Sequence, residues 1–77
     1  MPHRRFNADT RLDPETRRKV DELKRGDLKA LRLFEQVRET QLRDHPPLQG
    51  TEHSPAQRAN ATQMANKAVA IEFLGWP

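Results

Sequence analysis

The residues of this chain able to do chemistry are three histidines, one serine, a set of carboxylates and an excess of arginine. His3, His45 and His53 are the metal-ligand candidates, with Asp44 and Glu52 beside two of them. Compact zinc sites need ligands one helical turn apart or paired across a short loop. His45 and His53 are instead separated by a proline- and glycine-containing segment, and no His-x3-His pair exists. They read as exposed linker residues, and no metal is expected.

Nucleophilic catalysis needs a nucleophile, a base and a group that orients the base. Ser54 is the one serine and there is no cysteine. Ser54 also stands at the head of Ser54-Pro55-Ala56-Gln57, where a capping role accounts for it. The carboxylates are interleaved with arginines that keep them ionised. No glycine-rich phosphate loop is present, and 77 residues leave little mass for a water-excluding pocket. Neither an enzyme, a cofactor nor a small-molecule substrate is expected.

The arginines give the strongest ligand hint. Arg4, Arg5 and Arg11 precede any periodic segment, followed by Arg17, Arg18 and Lys19 and then Lys24 and Arg25. Such a series can track phosphates, with Phe6 available to stack on a base. Against this, Glu15–Lys19, Arg17–Asp21 and Arg18–Glu22 are i,i+4 pairs of the kind that line a solvated helix face. The net charge is +3, with residues 1–25 carrying eight Lys/Arg against five Asp/Glu, 26–54 four against five and 55–77 two against one. The basic excess therefore belongs mainly to the N-terminal third. A major-groove helix-turn-helix is not supported, because aligning Gly26 with the turn glycine of that motif places Asp21, Arg25, Asp27 and Arg32 at apolar positions.

The elements that must position these residues are helical. Residues 1–12 have no periodicity and read as a flexible basic arm, followed over 13–77 by a single helical domain. Asp13-Pro14-Glu15 is a helix start: a capping carboxylate, a proline whose missing N–H costs nothing at the first position, and an acid at the positive end of the dipole. The spacing predicts helices over about 14–25, 27–44 and 55–74. Gly26-Asp27 encodes either a tight turn, with glycine left-handed and aspartate capping the next helix, or only an interruption in one long helix. Val20, Leu23, Ala30, Leu31, Phe34 and Val37 nearly keep a heptad across the joint, which supports the fused alternative.

Leu28, Ala30, Leu31, Leu33, Phe34, Val37 and Leu42 spread over an arc of about 220° on the second helix. That is more than one neighbour covers, so this helix is expected to lie between others. His45-Pro46-Pro47 ends it, and residues 45–54 form a Pro/Gly linker. On the third helix Ala61, Met64, Ala65, Ala68 and Ile71 form a row of mostly small residues that permits close approach, with Asn60, Gln63, Asn66 and Lys67 pointing elsewhere. The expected core is Leu28, Leu31, Phe34, Val37, Met64, Ala65, Ala68 and Ile71.

The composition is lean, at 34% hydrophobic, 32% charged and a mean hydropathy of -1.02. A domain this small buries only about 60% of its unfolded surface. The apolar-rich stretch Ala68 to Trp76 is far shorter than the roughly 18 residues of a membrane span, and the basic start is followed by no apolar run. A cytoplasmic chain with no membrane association is expected.

These features predict a small all-α protein that acts as a non-enzymatic binding module: a regulator, inhibitor or accessory subunit. Its expected interface is surplus apolar surface at Leu28, Leu33, Leu42, Phe73, Leu74 and Trp76, covered by another protein or by a second copy in a homo-oligomer. Trp76 has two readings, folded back as core or presented as an anchor. The alternative function is nucleic-acid binding through Arg4, Arg5, Arg11, Arg17, Arg18 and Lys19.

Overall fold

Asp13 starts the first helix as its residue type dictates. In the structure, a computed structural model that describes residues 11–76, its carboxylate accepts from the Thr16 N–H at 3.1 Å and from the Thr16 hydroxyl at 2.7 Å. These two bonds, the hydroxyl first, hold the Asp13 carboxyl below the usual carboxylate range. The helices are α1 (Pro14–Gly26), α2 (Leu28–Asp44) and α3 (Pro55–Leu74). The fold is all-α, with no strand among the described residues. None of its helices is long and apolar enough to cross a membrane, again among the described residues. The expected arm falls largely on residues 1–10, which lie outside the described residues together with Pro77.

α1 and α2 are separate, and one residue divides them. Asp27 takes an extended conformation, φ −126° and ψ 111°. Its N–H donates to the Leu23 carbonyl at 2.7 Å, closing α1. Its carboxylate accepts from the N–H groups of Lys29 at 2.9 Å and Ala30 at 3.4 Å, opening α2. The left-handed glycine expected here is not used: Gly26 is the last residue of α1, and the positive-φ glycines are Gly50 and Gly75. An extended aspartate that caps both helices leaves glycine's conformational freedom with nothing to supply.

α3 opens with the capping box read from the sequence. The Ser54 hydroxyl accepts from the Gln57 N–H at 3.1 Å, and the Gln57 side-chain Oε1 accepts from the Ser54 N–H at 3.0 Å. It closes at Gly75, whose φ of 70° turns the chain so that the Trp76 N–H reaches the Ala70 carbonyl at 3.1 Å. That closure directs Trp76 back toward the bundle.

α2 and α3 run antiparallel. At the linker end, His53 Nε2 lies 2.8 Å from the Leu42 carbonyl oxygen. There Gln57 also donates to the carbonyls of Pro46 at 2.9 Å and His45 at 3.3 Å. At the other end Ala30 shares one buried cluster with Val69 and Ala70, joined by Val20 from α1. Lys24 of α1 donates to Asn66 of α3 at 2.8 Å. Leu12, Leu23, Leu33, Phe34, Phe73 and Trp76 pack around the cluster half-buried.

The centre of the protein is made of small residues. Among the described residues the fully buried apolar positions are Val20, Ala30, Ala61, Ala65, Val69 and Ala70. Of the expected core only Ala65 is among them. Leu31, Phe34, Val37, Met64 and Ala68 are half-buried, and Leu28 and Ile71 are exposed, at 61% and 39%. Alanines at the centre of the contact let the two backbones approach, and the large side chains are displaced to its rim. The enclosed helix is therefore α3, not α2: Ala65, Asn66, Lys67, Val69 and Ala70 are all buried. Asn66 and Lys67, expected to face away from the core, are corrected by the same fact, since a helix enclosed on several sides has few outward positions.

Candidate functional site

Two surfaces gather residues that the sequence scatters. The first is apolar and lies where the α1–α2 joint meets the end of α3. The register that sets Ala30 against Val69 and Ala70 brings Leu28, the first residue of α2, level with the last turns of α3. Leu28, Ile71 and Leu74 are all exposed here, at 61%, 39% and 38%. Arg25, Lys29 and Arg32 flank Leu28 and are exposed as well. Arg32 is one helical turn from Leu28, on the same side of α2. Asp27, the carboxylate at this joint, is committed to the caps, which leaves Glu72 beside Ile71 as the acid on the α3 side.

The predicted interface residues do not form one surface. Leu28 and Leu74 lie at the same end of the bundle, both exposed. Leu33, Phe73 and Trp76 pack half-buried against the central cluster. Leu42 is half-buried at the opposite end, beside the linker. Ile71 was assigned to the core because it lies in the alanine row, yet its i,i+3 spacing to Leu74 marks the pair as neighbours. Leu48, 82% exposed in the linker, is a further outlying apolar residue; it borders a cavity of about 600 Å³ together with Pro46, Pro47 and Gln57.

The second surface is a cleft of about 480 Å³ between the start of α1 and the first half of α3, lined by Arg11, Arg17, Arg58, Thr62, Gln63 and Asn66 among others. Arg11 and Arg17 were singled out in the sequence, and Arg58 was missed. It is the one arginine of α3, and only the packing of α3 on α1 places it with the other two. Arg18 and Lys19 are exposed on α1 outside the cleft wall, and Arg4 and Arg5 lie outside the described residues. Of the expected i,i+4 pairs, Arg17–Asp21 and Lys19–Glu15 form, each at 3.5 Å and exposed to solvent. Pairs of this kind contribute about 0–1 kcal/mol.

Behind the cleft is a polar cluster that ties α1 to α3. Lys24 Nζ donates to Asn66 Oδ1 at 2.8 Å, lies 3.4 Å from Asp21 Oδ1, and stands 3.9 Å from the centroid of the Phe34 ring. Asn66 is 1% exposed, and its Nδ2 is buried without a hydrogen-bond partner. A donor left in that condition costs about 1–3 kcal/mol.

Among the described residues, no three His, Cys, Asp or Glu side chains are placed to hold a metal ion. Ser54 spends its hydroxyl oxygen on the cap, and His53 directs a ring nitrogen at the Leu42 carbonyl. In comparisons with known protein families, characterised proteins and solved structures, nothing matches this chain.

Proposed function

We propose that this protein is a non-catalytic binding module that docks an acidic, apolar helical segment of another protein at the end of the bundle where Leu28, Ile71 and Leu74 are exposed. One observation carries the reading: among the described residues, no Leu, Ile, Met, Phe or Trp side chain is fully buried. The protein thus holds its large apolar groups half-covered around an alanine centre. Covering that surface is worth about 25 cal/mol per Å², a gain that only a partner realises.

The chemistry of the rim selects the occupant. Arg25, Lys29 and Arg32 stand within four residues of Leu28 and are exposed, so carboxylates on the partner find complementary charge. A second copy is the poorer fit. In a two-fold pairing the patch meets itself, and its cations would face their own copies.

The test is a titration with a synthetic amphipathic helix carrying leucine at i, i+3, i+4 and i+7 and glutamate elsewhere. The methyl resonances of Leu28, Ile71 and Leu74 should shift, and a version with lysine in place of glutamate should not bind. Leu28→Asp should abolish binding while changing stability by less than about 0.5 kcal/mol, the usual range for an exposed position. Binding that survives Leu28→Asp overturns the proposal. A concentration-dependent dimer lost in Leu28→Asp would instead make the occupant a second copy.

A further inference from the structure

The cleft between α1 and α3 is independent of the apolar surface, and its chemistry is that of an anion receptor. Arg11, Arg17 and Arg58 line one space, and among the described residues no carboxylate lines it with them. Arg17 commits its Nε to Asp21 at 3.5 Å, while Arg11 and Arg58 enter no ion pair with any of the described residues. Three guanidinium groups sharing a concave wall repel one another until an anion enters. Their planar forks match the paired oxygens of a phosphate.

Asn66 adds a second observation of a different kind. The Lys24 ammonium can only donate, so the oxygen of the Asn66 amide must face it, at 2.8 Å. That fixes Nδ2 on the other side of the amide, where it is buried without an acceptor, in a residue that lines the cleft. Buried donors in folded proteins nearly always have a partner. The Thr62 hydroxyl and the Gln63 amide, both half-buried in the same wall, are further neutral donors.

We propose that this cleft binds a terminal phosphate monoester of a small molecule. The donors converge on one space from α1, from the segment just before it and from α3, instead of forming a line. A polynucleotide backbone would be tracked by the cations that continue along α1, yet Arg18 and Lys19 lie outside the cleft wall. The volume of about 480 Å³ is within the range of small-molecule sites and exceeds what a phosphate alone fills, leaving room for an organic group against Leu12 and Ala59.

The experiment follows side-chain resonances during titration with inorganic phosphate and with ribose 5-phosphate, using chloride at matched ionic strength as the control. The Asn66 and Gln63 amides and the Arg11, Arg17 and Arg58 Nε signals should shift with both phosphates and not with chloride. Arg58→Ala, an exposed position, should weaken binding about tenfold, and Arg18→Ala should leave it unchanged. Asn66→Asp keeps an oxygen for Lys24 but replaces the free donor with a carboxylate, so binding should be lost; Thr62→Val is the milder companion variant. Equal effects of Arg58→Ala and Arg18→Ala, or equal shifts with chloride, overturn the proposal. So does steeply salt-dependent binding of oligo(dT) that moves Arg18 and Lys19 while phosphate leaves Asn66 unmoved, which would make the surface a nucleic-acid track.

Discussion

α2 holds the largest collection of big apolar side chains in the protein, and α3 is built largely from alanine, asparagine, threonine and glutamine, yet α3 is the helix that is enclosed. Ala30 is the one fully buried residue of α2, whereas α3 buries Ala61, Ala65, Asn66, Lys67, Val69 and Ala70. The difference teaches that hydrophobicity and burial are set by different things. A side chain's apolar area fixes how much is gained when it is covered, but backbone approach fixes which side chains are covered. Here the small residues take the centre, and Leu28, Leu31, Leu33, Phe34, Val37 and Leu42 surround it half-covered or exposed.

Substitutions that reverse the roles of the two helices test this most strongly. Ala70→Leu forces three carbons into a position that is 0% exposed, and should destabilise by about 3 kcal/mol, the upper part of the usual overpacking range. Chemical denaturation would read this as a lower midpoint, and an unchanged midpoint would show that α3 is not tightly enclosed. Trp76→Ala comes next. Half-buried and packed against the central cluster, Trp76 should cost about 2 kcal/mol when truncated, less than the roughly 3–5 kcal/mol of a fully enclosed aromatic. A melting temperature that does not move would make Trp76 an exposed anchor and not part of the fold.

The smallest effect concerns α1, whose start depends on charge instead of packing. The Asp13 carboxyl is held below its ordinary value by its bonds to Thr16, so its folded pKa lies below its unfolded one. The resulting stability is present above the unfolded value of about 3.9 and lost as pH falls through the lower folded value. Melting of the protein at pH about 5 and about 2.5 should differ more than in Asp13→Asn, which keeps a capping oxygen without the titration. Equal differences in the two proteins would remove Asp13 from the account.

Much of the site region was legible only in part. The starts of α1 and α3 could be read because Asp13-Pro14 and Ser54-Pro55-Ala56-Gln57 satisfy backbone donors within three residues. Leu28 and Leu74 were identified as surplus apolar surface, while Ile71 was hidden by its place in the alanine row. Arg11 and Arg17 were visible as cations. Their grouping with Arg58, and the stranded Nδ2 of Asn66, could not be seen, because both depend on how α1 lies against α3.

The sequence by itself determined the all-α class, the starts of the first and last helices and the linker, and left the joint between the first two helices open, since capping bonds, proline and helical periodicity act within a few residues of one another. Tertiary structure alone decided that Trp76 packs on the central cluster, that Arg58 joins Arg11 and Arg17, and that the helix of small residues is the enclosed one. Those outcomes depend on the distance between helix backbones, a quantity set by every contact side chain at once and therefore by no local stretch of the chain.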